Sequence, residues 1–204
     1  MKKLFLSSSF KDVAKLLEEH VGDDLKGKKI TFIPTAALHE KVNFYVKSGK
    51  KALEKMGLLV DELEITTASP SEISEKLKNS DCIYVSGGNT FFLLQELRRT
   101  GADEIIAEQI NSGKLYIGES AGSIILAPNI EYAKKMDDCG AAPNLDSFNS
   151  LDIVDFYPLP HHTEFPFKKA VEKIISEYSG DLKLMPITNS QAIWVNGSSV
   201  EIIE

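Results

Sequence analysis

Five short apolar runs, Leu4-Phe5-Leu6, Ile30-Thr31-Phe32-Ile33, Leu58-Leu59-Val60, Cys82-Ile83-Tyr84-Val85 and Leu115-Tyr116-Ile117, are separated by segments of helical period. Runs of this length bounded by turn residues predict strands, and their alternation with helices predicts a mostly parallel sheet. Val13, Leu16, Leu17 and Val21 form one helical stripe, and Phe167, Ala170, Val171, Ile174, Ile175 and Tyr178 form a second; both read as core. Ser69-Pro70-Ser71-Glu72 combines a cap, a proline at the first helical position and a glutamate three residues after the cap, which marks a helix start. Toward the end, Leu184–Ile187, Gln191–Val195 and Val200–Ile203 predict strands that close the sheet in antiparallel fashion, the last two joined by a turn at Asn196-Gly197. Between Ala127 and Asp152 the chain is rich in Pro, Asn, Asp, Gly and Ser and has little period, the pattern of a long loop with a functional part to play.

Composition narrows the class. The 204 residues, 43% hydrophobic and 26% charged, suit one domain spanning residues 1–204 with a full core. A formal charge of -7 argues against nucleic acid or an anionic membrane as the main partner. The opening Met1-Lys2-Lys3-Leu4-Phe5-Leu6 breaks off in Ser7-Ser8-Ser9 and reads as a first strand rather than a leader. No stretch approaches the roughly 18 apolar residues a membrane span needs, so a soluble protein is expected. Cys82 and Cys139 have no framework or metal spacing, which points to two reduced thiols and the cytoplasm. Arg98 and Arg99, the two arginines of the chain, read as cations at a helix C-terminus.

The chemistry concentrates in Gly118-Glu119-Ser120-Ala121-Gly122, which follows the strand Lys114–Ile117 and precedes the apolar Ile124, Ile125 and Leu126. A strand, a Gly-x-Ser-x-Gly turn and a helix make the context of a nucleophile elbow, with the Ser120 hydroxyl held clear at the mouth of a sheet. A serine hydroxyl needs a base. His20 and His39 read as surface residues, whereas His161 and His162 follow Tyr157-Pro158-Leu159-Pro160 at a strand end, where open α/β sheets collect their sites. Adjacent residues on an extended segment face opposite ways, so one of the pair points inward, and spacing alone does not say which. A second glycine turn, Ser86-Gly87-Gly88-Asn89-Thr90, lies between the strand ending at Val85 and the helix starting near Phe91. It lacks the lysine of a phosphate loop. It reads as an oxyanion donor, the Gly88 N–H joining that of Ala121, with Asn89 as helix cap.

Gly87-Gly88-Asn89-Thr90, Gly118-Glu119-Ser120-Ala121-Gly122 and Pro160-His161, in this order, resemble the peptidase E family of serine peptidases (family S51), which includes aspartyl dipeptidases and, more distantly, cyanophycinases. The resemblance covers nearly the whole chain. It implies an α/β fold, a three-layer sandwich with a mostly parallel sheet, like that of class I glutamine amidotransferases. It also implies Ser120 as nucleophile, His161 as base, and Gly88 with Ala121 as the oxyanion pair. Two departures stand out. Where aspartyl dipeptidases carry a glutamate that orients the histidine, the segment Pro186–Ala192 offers Asn189, which makes Asn189 the third member unless Glu164 or Asp181 serves. No arginine follows Arg99 to bind a substrate aspartate, and Lys168 or Lys169 would act there only as point charges.

The sequence therefore predicts a serine peptidase that hydrolyses dipeptides or short peptides through an acyl-enzyme on Ser120, with Glu119, Asn89 and His162 as substrate-binding candidates. No metal and no cofactor is implied, because no histidine and carboxylate cluster has ligand spacing. The expected partner is a small peptide, with a homodimer left open. Two rival readings remain. One is a serine esterase or amidase with Asp152 or Asp155 as the acid; the other is a weakly active or non-catalytic binding homologue, for which Asn189 is the argument.

Overall fold

In the computed structural model, which describes residues 1–40 and 42–204, the apolar runs form the middle of one sheet. In chain order the elements are β1 (Lys3–Ser7), α1 (Phe10–Val21), β2 (Lys29–Ile33), α2 (Phe44–Lys55), β3 (Leu59–Glu62), α3 (Pro70–Asn79), β4 (Cys82–Val85), α4 (Thr90–Thr100), α5 (Ala102–Asn111), β5 (Leu115–Glu119), α6 (Ala121–Ile124), β6 (Tyr157–Leu159), α7 (Lys168–Tyr178), β7 (Leu184–Pro186), β8 (Ala192–Asn196) and β9 (Ser199–Ile203). Seven strands make the main sheet in the order β3-β2-β4-β5-β1-β8-β9. The first five in that row are mutually parallel, and β8 runs antiparallel to β1 and to β9.

Alternation along the strands builds the layers, since successive side chains leave opposite faces of a sheet. Phe5 packs with Phe10, Val13 and Leu17 of α1 and Leu53 of α2. Leu4 and Leu6 face the other way, into a core with Ile73 and Leu77 of α3, Leu93 and Leu97 of α4, and Ile106 and Ile110 of α5. The result is a three-layer α/β sandwich. The cap read from the sequence forms as expected: the Ser69 hydroxyl accepts from the Glu72 N–H at 3.2 Å, with Pro70 in the first turn.

Two expectations change. The run beginning at Leu184 does not join the main sheet; β7 pairs instead with β6, in parallel, as a separate two-stranded unit. The hairpin turn sits one residue later than the Asn-Gly pair suggests, because Asn196 still pairs with Ser199 and Gly197-Ser198 form the turn. The segment between Ala127 and Asp152 carries short 3-10 turns at Glu131–Lys135 and Cys139–Ala141. Its Ile130, Tyr132 and Ala133 pack against Phe91 and Leu94 of α4 and Val171 and Ile174 of α7, so the loop is anchored by a core of its own. Among the described residues, no helix is long and apolar enough to cross a membrane.

Candidate active site

β5 runs directly into Ser120, whose φ of 49° and ψ of -106° lie outside the regions an L residue adopts without constraint. The constraint comes from hydrogen bonds on both sides. The Ser120 N–H donates to Ser7 O at 2.9 Å, and its carbonyl accepts from the Ser123 and Ile124 N–H groups at 2.8 and 3.0 Å. The Tyr116 hydroxyl donates to Gly122 O at 2.6 Å, and the Ser123 hydroxyl reaches Ser7 O and Gly118 O, each at 2.9 Å. A Cβ on Gly122 would stand 2.2 Å from Val85 O, so glycine is what lets the turn pack on the end of β4. The helix following the elbow is shorter than the sequence suggests, a single turn of four residues. Any anion here would meet individual N–H groups rather than the dipole of a long helix.

The β6–β7 pair delivers the partners. His161 lies two residues past β6 and Asn189 three residues past β7, and because the strands are parallel both arrive at the same end. Ser120 Oγ is 2.9 Å from His161 Nε2, and His161 Nδ1 is 3.1 Å from Asn189 Oδ1. With the Nδ1 proton donated to the amide oxygen, Nε2 is free to accept from the serine hydroxyl. Ser8, just past β1, locks this arrangement: its Oγ accepts the His161 N–H at 3.0 Å and lies 3.1 and 3.0 Å from the carbonyls of Ile187 and Thr188. His161 itself has φ of 63°. Its ring stacks on Phe167, with centroids 4.7 Å apart and planes 22° from parallel. Burial pushes the imidazole below its usual pKa, and the Asn189 hydrogen bond and the nearby charge of Glu164 partly oppose this.

The Gly87-Gly88 turn lies against the serine. A Cβ on Gly87 would be 3.1 Å from the Ser120 Cβ, and one on Gly88 would be 2.1 Å from Ala36 O. Gly88 also has φ of 138°, so no other residue fits there. The Asn89 N–H donates to Ala36 O at 2.8 Å. Asp137, from the long loop, accepts the Thr90 N–H at 2.9 Å and the Thr90 hydroxyl, bracing the start of α4 beside this turn. The Asp137 carboxyl is largely shielded from water even though the residue keeps some exposure, and burial pushes its pKa up to about 6. The sequence reading missed Asp137, Ser8 and Phe167: Asp137 sits in a segment without period, Ser8 in a serine run, and Phe167 in a stripe that reads as core.

Several expected roles are corrected. Glu119 does not face a substrate; it is 3% exposed, and its carboxylate accepts the Phe10 N–H at 2.9 Å and the Tyr84 hydroxyl at 2.6 Å. The Gly87 N–H also bonds to it, and burial holds its pKa above the ordinary range. The reason is the strand period: Gly118 and Ser120 share one direction, and Glu119 takes the opposite one, into the layer of α1 and α2. Asn89 is likewise committed, Oδ1 accepting the Phe92 N–H and Nδ2 donating to Asp138 O, both at 2.9 Å. It serves as the cap of α4. The imidazole meets Asn189 rather than Glu164, Asp181, Asp152 or Asp155; Asp155 pairs with Lys183 at 3.2 Å. His162 is half-buried and ties its N–H to Ile187 O at 3.0 Å. His20 and His39 are exposed, the former bonded to Leu16 O and the latter resting on the Phe92 ring.

The fold and the comparisons with known proteins place this chain among hydrolases of the peptidase class. The model of peptidase family S51 matches residues 4–203, and the chain belongs to that family. It is 56% identical over 200 residues to an uncharacterized peptidase of Listeria monocytogenes, covering 98% of this chain and 97% of that protein. It is 34% identical over 170 residues to peptidase E of Salmonella arizonae, covering 80% of this chain and 69% of that one. Among solved structures, a candidate peptidase E protein from Listeria monocytogenes EGD-e superposes with a TM-score of 0.96 at 54% identity, covering 100% of this chain and 98% of that one. A peptidase from an acI-B1 actinobacterium, at 23% identity and a TM-score of 0.74, shares the fold.

Proposed function

We propose that this peptidase is serine-type and hydrolyses dipeptides or short peptides through an acyl-enzyme on Ser120. The observation that carries the reading is the continuous hydrogen-bonded line from Ser120 Oγ through the His161 imidazole to Asn189 Oδ1, at 2.9 and 3.1 Å. In this mechanism Ser120 Oγ attacks the scissile carbonyl carbon while His161 Nε2 takes the hydroxyl proton. The Gly88 and Ala121 N–H groups donate to the oxyanion. Collapse breaks the C–N bond, and the amine leaves with the proton from Nε2. A water then attacks the ester, gives its proton to Nε2, and the acid departs as that proton returns to Ser120.

Short substrates are carried over from the motif resemblance to the aspartyl dipeptidases. An aspartyl preference is not. Arg98 and Arg99 lie in the last turn of α4, about 14 Å of helix from the cap at Asn89. Arg98 is held by the carbonyls of Ser147 and Asn149, and Arg99 by Glu96. Neither is free to clamp a substrate carboxylate.

Asn189 sustains a second reading, a homologue that binds peptides and turns them over weakly, because an amide supports an imidazolium less than a carboxylate does. A fluorophosphonate probe separates the two. Under the proposed mechanism the wild-type protein is labelled on Ser120, Ser120→Ala is not, and a dipeptide library identifies the bonds cut. Absence of labelling between about pH 6 and pH 9, where a primed serine should react, refutes the nucleophile assignment and favours the binding reading. Efficient digestion of long unfolded chains would refute the short-peptide assignment.

A further inference from the structure

Among the described residues no carboxylate is hydrogen-bonded to the imidazole of His161: Ser120 and Asn189, its ring partners, are both neutral. What it does have is a flat apolar neighbour, the Phe167 ring, stacked 4.7 Å away at 22°. We propose that Phe167 is a positioning residue that supports the His161 imidazolium through its π face, doing part of what a triad carboxylate does elsewhere. The inference rests on the reading of His161 as the general base.

The physical basis is the negative face of an aromatic ring, which attracts a cation held over it within about 6 Å of the centroid, most strongly where water is excluded. A neutral imidazole gains little from that field. The protonated form produced as Ser120 attacks gains more, so the contact works in the same direction as catalysis. Phe167 is well placed for this because it sits at the entry to α7, with φ of -82° and ψ of -13°, and packs against the core formed by the long loop, α4 and α7. The ring is therefore held by packing that does not depend on the histidine. The other groups facing the imidazole are few. Glu164, four residues before the α7 start, adds a negative charge that acts on the ring without a hydrogen bond to it. Just past β1, Ser8 meets His161 at its backbone N–H, and His162, the next residue, bonds through its own N–H to Ile187.

Stacking has two consequences of opposite sign, and this makes the proposal testable. A ring that merely covers the imidazole from water lowers its pKa; a ring that stabilises the cation raises it. Phe167→Leu keeps most of the cover and removes the π face. The experiment is a histidine-selective NMR pH titration of wild type, Phe167→Leu and Phe167→Trp, with His161→Gln to assign the signal. In Phe167→Leu the His161 pKa is expected to fall by about half a unit, a threefold drop in its protonation constant. The maximal rate of fluorophosphonate labelling at Ser120 should fall by a similar factor. In Phe167→Trp, whose π face is the stronger, the pKa should hold or rise. A pKa that is unchanged or raised in the leucine variant overturns the proposal, as does one that drops in the tryptophan variant if the leucine variant does not fold. The titration needs no turnover. Wild-type protein that resists the probe while the pKa shifts as stated would sink the catalytic reading and leave the cation–ring contact standing.

Discussion

Replacing Asn189 by aspartate tests the site most directly, because it restores the charge that the amide lacks without altering reach. Asn189 Oδ1 lies 3.1 Å from His161 Nδ1, so a carboxylate there would place one negative charge about 4 Å from the centre of an imidazolium. At an effective dielectric constant of about 20, Coulomb attraction at that distance is about 4 kcal/mol, equivalent to about three pKa units. The new carboxylate loses part of its hydration, but Asn189 is only half-buried, and a net rise of about one to two units is expected. The wild-type imidazole starts below the ordinary histidine value because burial disfavours its charged form. Asn189→Asp should therefore move the acid limb of the labelling rate at Ser120 upward by about one to two pH units. The base must be unprotonated to act, so the variant's advantage over wild type shrinks toward about pH 6 and is greatest above about pH 8, where the plateau should rise by about tenfold. Second-order fluorophosphonate labelling from about pH 5 to pH 9 reads both quantities without knowledge of the natural substrate. An unmoved acid limb in a folded variant would falsify the assignment of His161 and Asn189 as a working pair.

Three further outcomes follow from the geometry. Gly88→Ala places a Cβ about 2.1 Å from Ala36 O at a backbone angle that disfavours any side chain, so the turn must shift; labelling at Ser120 should fall by about a hundredfold, measured beside the melting temperature. Glu119→Leu leaves the Phe10 N–H and Tyr84 hydroxyl buried without their acceptor and should lower stability by about 3 kcal/mol, against about 1 kcal/mol for Tyr84→Phe, in urea melts. Stability of the wild type should decline as pH rises from about 4 to about 6, since Asp137 holds its proton longer folded than unfolded; Asp137→Asn should flatten that part of the curve, and an unchanged slope would refute the burial argument.

How much of this was legible beforehand depends on the range of the interaction. Strand periodicity marked β1, β2, β4 and β5 closely, because a strand buried on both faces is written as a continuous apolar run. The elbow was legible for a related reason: a turn this tight admits so few residue types that Gly118, Ser120 and Gly122 identify it. The run from Leu184 was misplaced because an apolar run does not name its pairing partner. Glu119 reads in the sequence as a substrate-binding candidate, although the strand period leading into it already pointed its side chain away from that of Ser120.

Local chemistry along the chain thus determined the α/β class, the tight turn at Ser120, the second glycine turn and a pair of candidate histidines. The family resemblance singled out His161 and Asn189, and tertiary structure is what brings the His161 ring to Ser120 and Asn189 to that ring. That arrangement lies in the parallel pairing of β6 with β7, which brings His161 and Asn189 to one end across 28 residues of chain, and in Ser8, just past β1, which ties the His161 N–H to the carbonyls of Ile187 and Thr188. No local pattern encodes such contacts, because they arise only when segments distant in sequence share a hydrogen-bonded edge.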